Sequence, residues 1–257
     1  MKFAVIKKKK ALGVICLTLA LAIMLSLTYL SGSHVLAMGG TTRKLPIYSV
    51  KTDEKKVALT FDASWGSEKT EAILSTLEDY DIKATFFTVG FWADEHQELL
   101  KKLHDSGRME IGTHSDTHPH MSKLNKSQVE LELSSSVRKI EAITGSKVTL
   151  FRAPFGEYDD KLLSVAEEQG LKTIQWDVDT LDWKNKSAGE MATRVQKRAD
   201  CGSIILMHND GKHTVEALPL IIEGLKNKGF SFVTVGELIY QDNYYIDHTG
   251  KQIRKEG

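Results

Sequence analysis

The sequence predicts an α/β barrel, closed or incomplete, built around a parallel sheet. Three observations predict it. From about Val50 onward, short β-rich runs alternate with longer amphipathic stretches, the pattern of strand–helix units. About seven such units fit in roughly 190 residues, which suits a barrel better than an open doubly wound sheet. No glycine-rich phosphate loop follows any strand, so a nucleotide-binding fold is unsupported and no nucleotide cofactor is expected.

The elements follow in chain order. Val57-Ala58-Leu59-Thr60-Phe61 reads as a strand, and residues 68–80 as a helix with Ile73, Leu74 and Leu77 at helical spacing. Residues 84–89 are the next strand, and 95–105 a helix burying Leu99, Leu100 and Leu103. A short strand at 110–112 precedes a helix at 127–144, with Asn125 or Ser127 as its cap. Strands continue at 148–151, 173–176, 203–207 and 231–235, with helices at 158–169, 187–199 and 215–228 between them. Gly170 and Gly229 stand where helix C-caps are expected. The domains expected are a leader (1–37), a polar linker (38–55), the barrel (56–240) and a loose polar tail (241–257).

The leader sets the address. Lys2, Lys7, Lys8, Lys9 and Lys10 precede an uncharged run at 11–30, and twenty residues at about 1.5 Å rise match a bilayer core of about 30 Å. The lysines keep the N-terminus cytoplasmic and place the rest outside. Val35-Leu36-Ala37 offers a cleavage site, so an uncleaved membrane anchor and a signal cleaved near Ala37 both remain open, with a buried core helix as the third alternative. Beyond the leader, 29 basic residues face 34 acidic ones. A mildly acidic body argues against a nucleic-acid partner. Cys16 and Cys201 are the only cysteines, which excludes a disulfide framework, and Cys201 reads as a small buried apolar residue.

In a barrel, chemistry belongs at the C-terminal strand ends. Asp62 follows the first strand, where an aspartate also serves as a helix cap. The strand at 110–112 runs into His114-Ser115-Asp116-Thr117-His118, two imidazoles spaced to share one ion, with His120 a bystander. Arg152 leaves its strand into Pro154-Phe155-Gly156, and a buried arginine there would grip a carboxylate bidentately. Trp176 and Trp183 flank an acidic loop holding Asp177, Asp179 and Asp182, either a sugar-stacking wall or a packed rim. His208 ends the buried strand Ile204-Ile205-Leu206-Met207. Five strand ends each offering a titratable residue point to one site.

Together these five segments resemble the polysaccharide deacetylases of the NodB-homology type, carbohydrate esterase family 4, over about residues 56–240. The basic start and the Ser64-Trp65-Gly66 sequence look like the sporulation-associated members of PdaB type. The resemblance implies a distorted, incomplete (β/α) barrel and a metal-dependent hydrolase that removes N-acetyl groups from cell-wall glycan. It implies Asp62 as the general base acting on a metal-bound water, and His114 and His118 as metal ligands. Arg152 would orient Asp62, and Asp179 would tune His208, the general acid, with Asp182 and Trp183 completing that motif. The Phe155 N–H would hold the oxyanion, and Leu206 would line the acetate pocket. The metal implied is zinc, with cobalt, manganese or nickel as alternatives. One position departs: the family's second aspartate, its third metal ligand, is Ala63 here. A two-histidine site binds a cation less tightly. The alternative is therefore a glycan-binding or scaffold protein that kept the groove and lost the chemistry.

Overall fold

The computed structural model describes Leu19, Ala22, Ile23 and residues 43–255. The expected anchor or signal lies outside the described residues, save those three helical positions. Among the described residues no helix is long and apolar enough to cross a membrane. Residues 44–255 form one compact unit.

The strands are β1 (Ser49–Val50), β2 (Lys56–Ala63), β3 (Ala84–Thr88), β4 (Met109–Thr113), β5 (Leu150–Phe151), β6 (Lys172–Thr173), β7 (Val178–Asp179), β8 (Ile204–His208), β9 (Ser231–Phe232), β10 (Tyr244–Ile246) and β11 (Lys251–Arg254). The main sheet runs β6-β5-β4-β3-β2-β8-β7, with β9 on β2 and every pairing parallel. Among the described residues the end strands β6 and β7 do not pair with each other, so the barrel is incomplete. The helices are α1 (Thr70–Asp79), α2 (Gly90–Glu95), α3 (Gln97–Asp105), α4 (Lys126–Thr144), α5 (Asp160–Glu168), α6 (Ala188–Arg198), α7 (Thr214–Asn227) and α8 (Val235–Leu238).

Strand alternation sorts the side chains into two layers. Val57, Leu59, Phe61 and Ala63 of β2 join Phe86, Ile205 and Met207 in the large cluster under the helices. Ala58, Phe87, Leu150 and Ile204 meet in a second cluster inside the curl. That interior is tight: a Cβ on Gly112 would come within 2.7 Å of the Phe87 ring, so only glycine fits there.

Four expectations need correction. The helix expected at 95–105 starts at Gln97, and a second, unexpected helix (α2) precedes it, the two separated at His96 (φ −125°, ψ 43°). The linker is partly docked: Ile47 bridges to Ile174 and Ser49 to Ser203, with Ile47 and Val50 buried. The tail is no loose appendage, since β10 and β11 form a second sheet with β1. Fully buried Gln252 exchanges two 2.8 Å hydrogen bonds with the Tyr240 backbone. Cys201 is half-buried rather than buried. Of the two cap candidates, Asn125 caps α4, in a reciprocal box with Gln128.

Candidate active site

The parallel register brings the strand ends to one line. Asp62 on β2 lies beside His208 on β8 and Phe87 on β3. His114 follows β4 and Arg152 follows β5, joined where the Arg152 amide donates to the Thr113 carbonyl at 2.9 Å.

Asp62 is buried, and Arg152 Nη1 donates to its Oδ1 at 2.8 Å. The grip is not bidentate. The same Nη1 donates to Thr60 Oγ1 at 2.7 Å, Nη2 to the Gln175 carbonyl at 3.1 Å and Nε to the Ile174 carbonyl at 3.4 Å. A fully buried guanidinium must satisfy all its donors, so backbone carbonyls take those the carboxylate does not. Asp62 Oδ2 is left 3.7 Å from His114 Nε2. Burial pushes the Asp62 carboxyl upward, but the Arg152 charge, with His114 and His208, outweighs it and holds Asp62 below its usual range.

His114 Nδ1 lies 2.8 Å from the Arg152 carbonyl. A carbonyl only accepts, so Nδ1 carries the proton and Nε2 presents its lone pair. Burial keeps this ring neutral by lowering its pKa. His118 has a left-handed backbone (φ 59°) and a buried Nδ1 with no hydrogen-bond partner. Burial, then the neighbouring His114, lowers its pKa to about 4. The two rings meet edge to face at 5.0 Å.

The carboxylate on His208 belongs to Asp182, not to Asp179. Asp182 Oδ1 accepts from His208 Nδ1 at 2.8 Å, and Oδ2 accepts from the His208 amide at 2.7 Å and Thr214 Oγ1 at 2.9 Å. Asp179 turns back onto the Leu181 amide at 2.7 Å. Burial opposes the charge on His208, but the Asp182 hydrogen bond and charge, with Asp62 and Asp210, raise its pKa to about 9.

A cavity of about 720 Å³ opens over this cluster, lined by Asp62, His114, His118 and His208, with Leu206 and Asp179 also in its wall. Phe155, Trp183 and Trp65 are more than half exposed at its rim, and Trp176 lines it as well. Sequence reasoning missed Trp65, Thr60 and Asn209. Thr60 was findable, two positions before Asp62 and so on the same strand face. Asn209 was not: its side chain donates to the Gly66 carbonyl at 2.8 Å and fixes the loop after β2 through tertiary packing.

Two neutral imidazoles, one with its distal N–H anchored on a carbonyl and the other with an orphaned buried nitrogen, suit a divalent cation. Ala63 adds no donor, and among the described residues no group of three His, Cys, Asp or Glu side chains has metal-holding geometry. The residues therefore fit an ion held by two protein ligands, with solvent or substrate completing its shell.

The family model for polysaccharide deacetylase matches residues 49–174. A peptidoglycan-N-acetylglucosamine deacetylase of Bacillus cereus is 35% identical over 192 residues, which cover 73% of this chain and 70% of that protein. The chain belongs to the polysaccharide deacetylase family. Its half-barrel of parallel strands is shared with the solved family 4 carbohydrate esterases. One of these is BA3943 of Bacillus anthracis, a family 4 pseudoenzyme, 37% identical with a TM-score of 0.73 over 75% of this chain and 68% of that one. The YlxY protein of Bacillus subtilis (strain 168) is 36% identical over 194 residues, 76% of this chain. The chain spans 60% of YlxY and 46% of a Listeria deacetylase that it also matches.

Proposed function

We propose that this protein is an N-deacetylase of cell-wall glycan, releasing acetate from N-acetylglucosamine or N-acetylmuramic acid units. One observation carries the reading: Asp62, its carboxyl held below its usual range by Arg152, and His208, its imidazole pKa raised to about 9 by Asp182, stand side by side on neighbouring strands and open into one cavity.

Amide hydrolysis needs both groups, because water must lose a proton to attack and nitrogen must gain one to leave. Asp62 accepts the proton of the attacking water as its oxygen bonds to the acetyl carbon. Arg152 keeps that carboxylate ionised and aimed. The oxygen left negative is held by the Phe155 N–H. His208, with Nδ1 tied to Asp182, passes a proton from Nε2 to nitrogen as the C–N bond breaks, giving acetate and a free amine. Leu206, almost fully buried, walls the space for the methyl group. His114 and His118 would hold a divalent ion, zinc first, which when bound polarises the acetyl carbonyl and makes water more acidic. The exposed Trp183 offers a ring face to the sugar.

The basic start and the uncharged run at 11–30 support a reading in which this activity lies outside the cytoplasm, on an anchor or secreted after cleavage near Ala37. The PdaB-type features favour a sporulation setting. A second reading, glycan binding without turnover, is favoured by Ala63 and by the likeness to BA3943, a mutant of which has restored enzymatic activity.

Acetate release from N-acetylglucosamine oligomers or peptidoglycan separates the readings. The full chain with added divalent ion releases acetate, and Asp62→Asn or His208→Ala abolishes it. Glycan binding without acetate, whichever divalent ion is supplied, would establish the second reading.

A further inference from the structure

The mouth of the cavity contains a second device. Phe155 has φ 60° and ψ 5°, the left-handed region. A bulky residue there is a backbone outlier, and it persists only where its surroundings hold it. Gly156 follows with φ 68°, and a Cβ on it would lie 3.1 Å from the Trp176 ring, so a side chain at this position would be both strained and crowded.

What holds Phe155 is a stack of rings. His118 meets it edge-on at 4.6 Å and 66°. His120 lies nearly parallel to it, with centroids 4.3 Å apart at 17°. His120 is itself pinned, its Nδ1 2.9 Å from Glu157 Oε2, and Ser122 Oγ reaches the same oxygen at 3.5 Å. The bond to His120 holds the Glu157 carboxyl below its usual range. Glu157 is two residues beyond Phe155, so the pair closes a loop from the histidine segment to the turn it steadies.

We propose that His120 and Glu157 are positioning residues, a clamp that presses an imidazole onto Phe155 and holds its strained backbone over His118. Phe155 thereby keeps its amide in place for the acetyl oxygen, a part of the role that rests on the deacetylase reading. An exposed hydrogen-bonded pair contributes little to stability. The clamp therefore shows in the geometry of the turn and in catalysis rather than in melting temperature.

The test uses the full chain with ¹³C-labelled phenylalanine and the variants His120→Ala, His120→Phe and Glu157→Gln. In His120→Ala the Phe155 Cα resonance leaves its left-handed position, while His120→Phe, which restores a stacking ring, returns it. On N-acetylglucosamine oligomers, His120→Ala lowers kcat by about 10-fold or more with KM changed less than about two-fold, as misplacement of a reacting contact does. His120→Phe recovers most of that loss, and Glu157→Gln falls between. A Phe155 resonance unmoved in His120→Ala, or His120→Phe no better than His120→Ala, overturns the clamp. If the wild-type chain releases no acetate at all, the deacetylase reading fails, and the Phe155 resonance alone decides the clamp.

Discussion

Asp182 decides how long His208 stays protonated as pH rises. Against burial, the Asp182 bond and charge raise the imidazole pKa to about 9. The acid is therefore loaded at neutral pH and lost above about pH 9. The same shift has a stability consequence: a pKa raised on folding stabilises the fold fully below the unfolded value of about 6.5 and loses that contribution as pH rises through the folded one. Asp182→Asn removes the charge, so the alkaline limb of the kcat profile moves to lower pH, whereas Asp179→Asn leaves it in place. A pH–rate profile of acetate release checks both. An unmoved limb in Asp182→Asn would mean that another group sets the acid. Both aspartates sit in one acidic loop, and nothing local to the chain distinguishes them. Leu181 and Asn185, at φ 60° and 53°, make the turn that carries Asp182 under β8.

Elements were legible where their periodicity is internal and were missed where their ends are satisfied from afar. Helix α2 was missed because its first amides are served by another segment: Gly90 N donates to the Ser115 carbonyl at 3.0 Å and Phe91 N to the Asp116 carbonyl at 3.1 Å. Those carbonyls belong to the histidine segment, so α2 also braces the loop that carries His114 and His118. The tail was misread because a short polar strand looks like coil until a partner appears. Gln252→Ala removes two buried hydrogen bonds, each worth about 0.5–1.5 kcal/mol, and strands the Tyr240 backbone groups. A fall in Tm of about 4–8 °C in thermal unfolding is expected. An unchanged Tm would return the C-terminal strands to the status of an appendage.

For the molecule as a whole, an ion that binds only the folded state raises Tm with the logarithm of its concentration over Kd. On the proposed reading His114 and His118 hold the ion by themselves, so a modest rise in zinc is expected. Ala63→Asp puts a carboxyl at a fully buried position among apolar neighbours, so Tm falls without metal. With zinc its rise should exceed that of wild type, because a third ligand both binds the ion and loses its buried charge penalty. Zinc titrations followed by thermal unfolding measure both effects. A rise no larger than that of wild type would show that position 63 does not reach the ion.

The chain order alone determined the parallel strand–helix architecture and which strand ends carry Asp62, His114, Arg152 and His208, because alternation and helical periodicity are properties of neighbours in sequence. Only the folded chain decided that Asp182 rather than Asp179 holds His208, that Arg152 divides its donors among four acceptors, and that His120 serves Phe155. Those outcomes depend on hydrogen bonds and ring contacts between residues far apart along the chain, or turned by a few degrees of backbone, and no local pattern of residues encodes them.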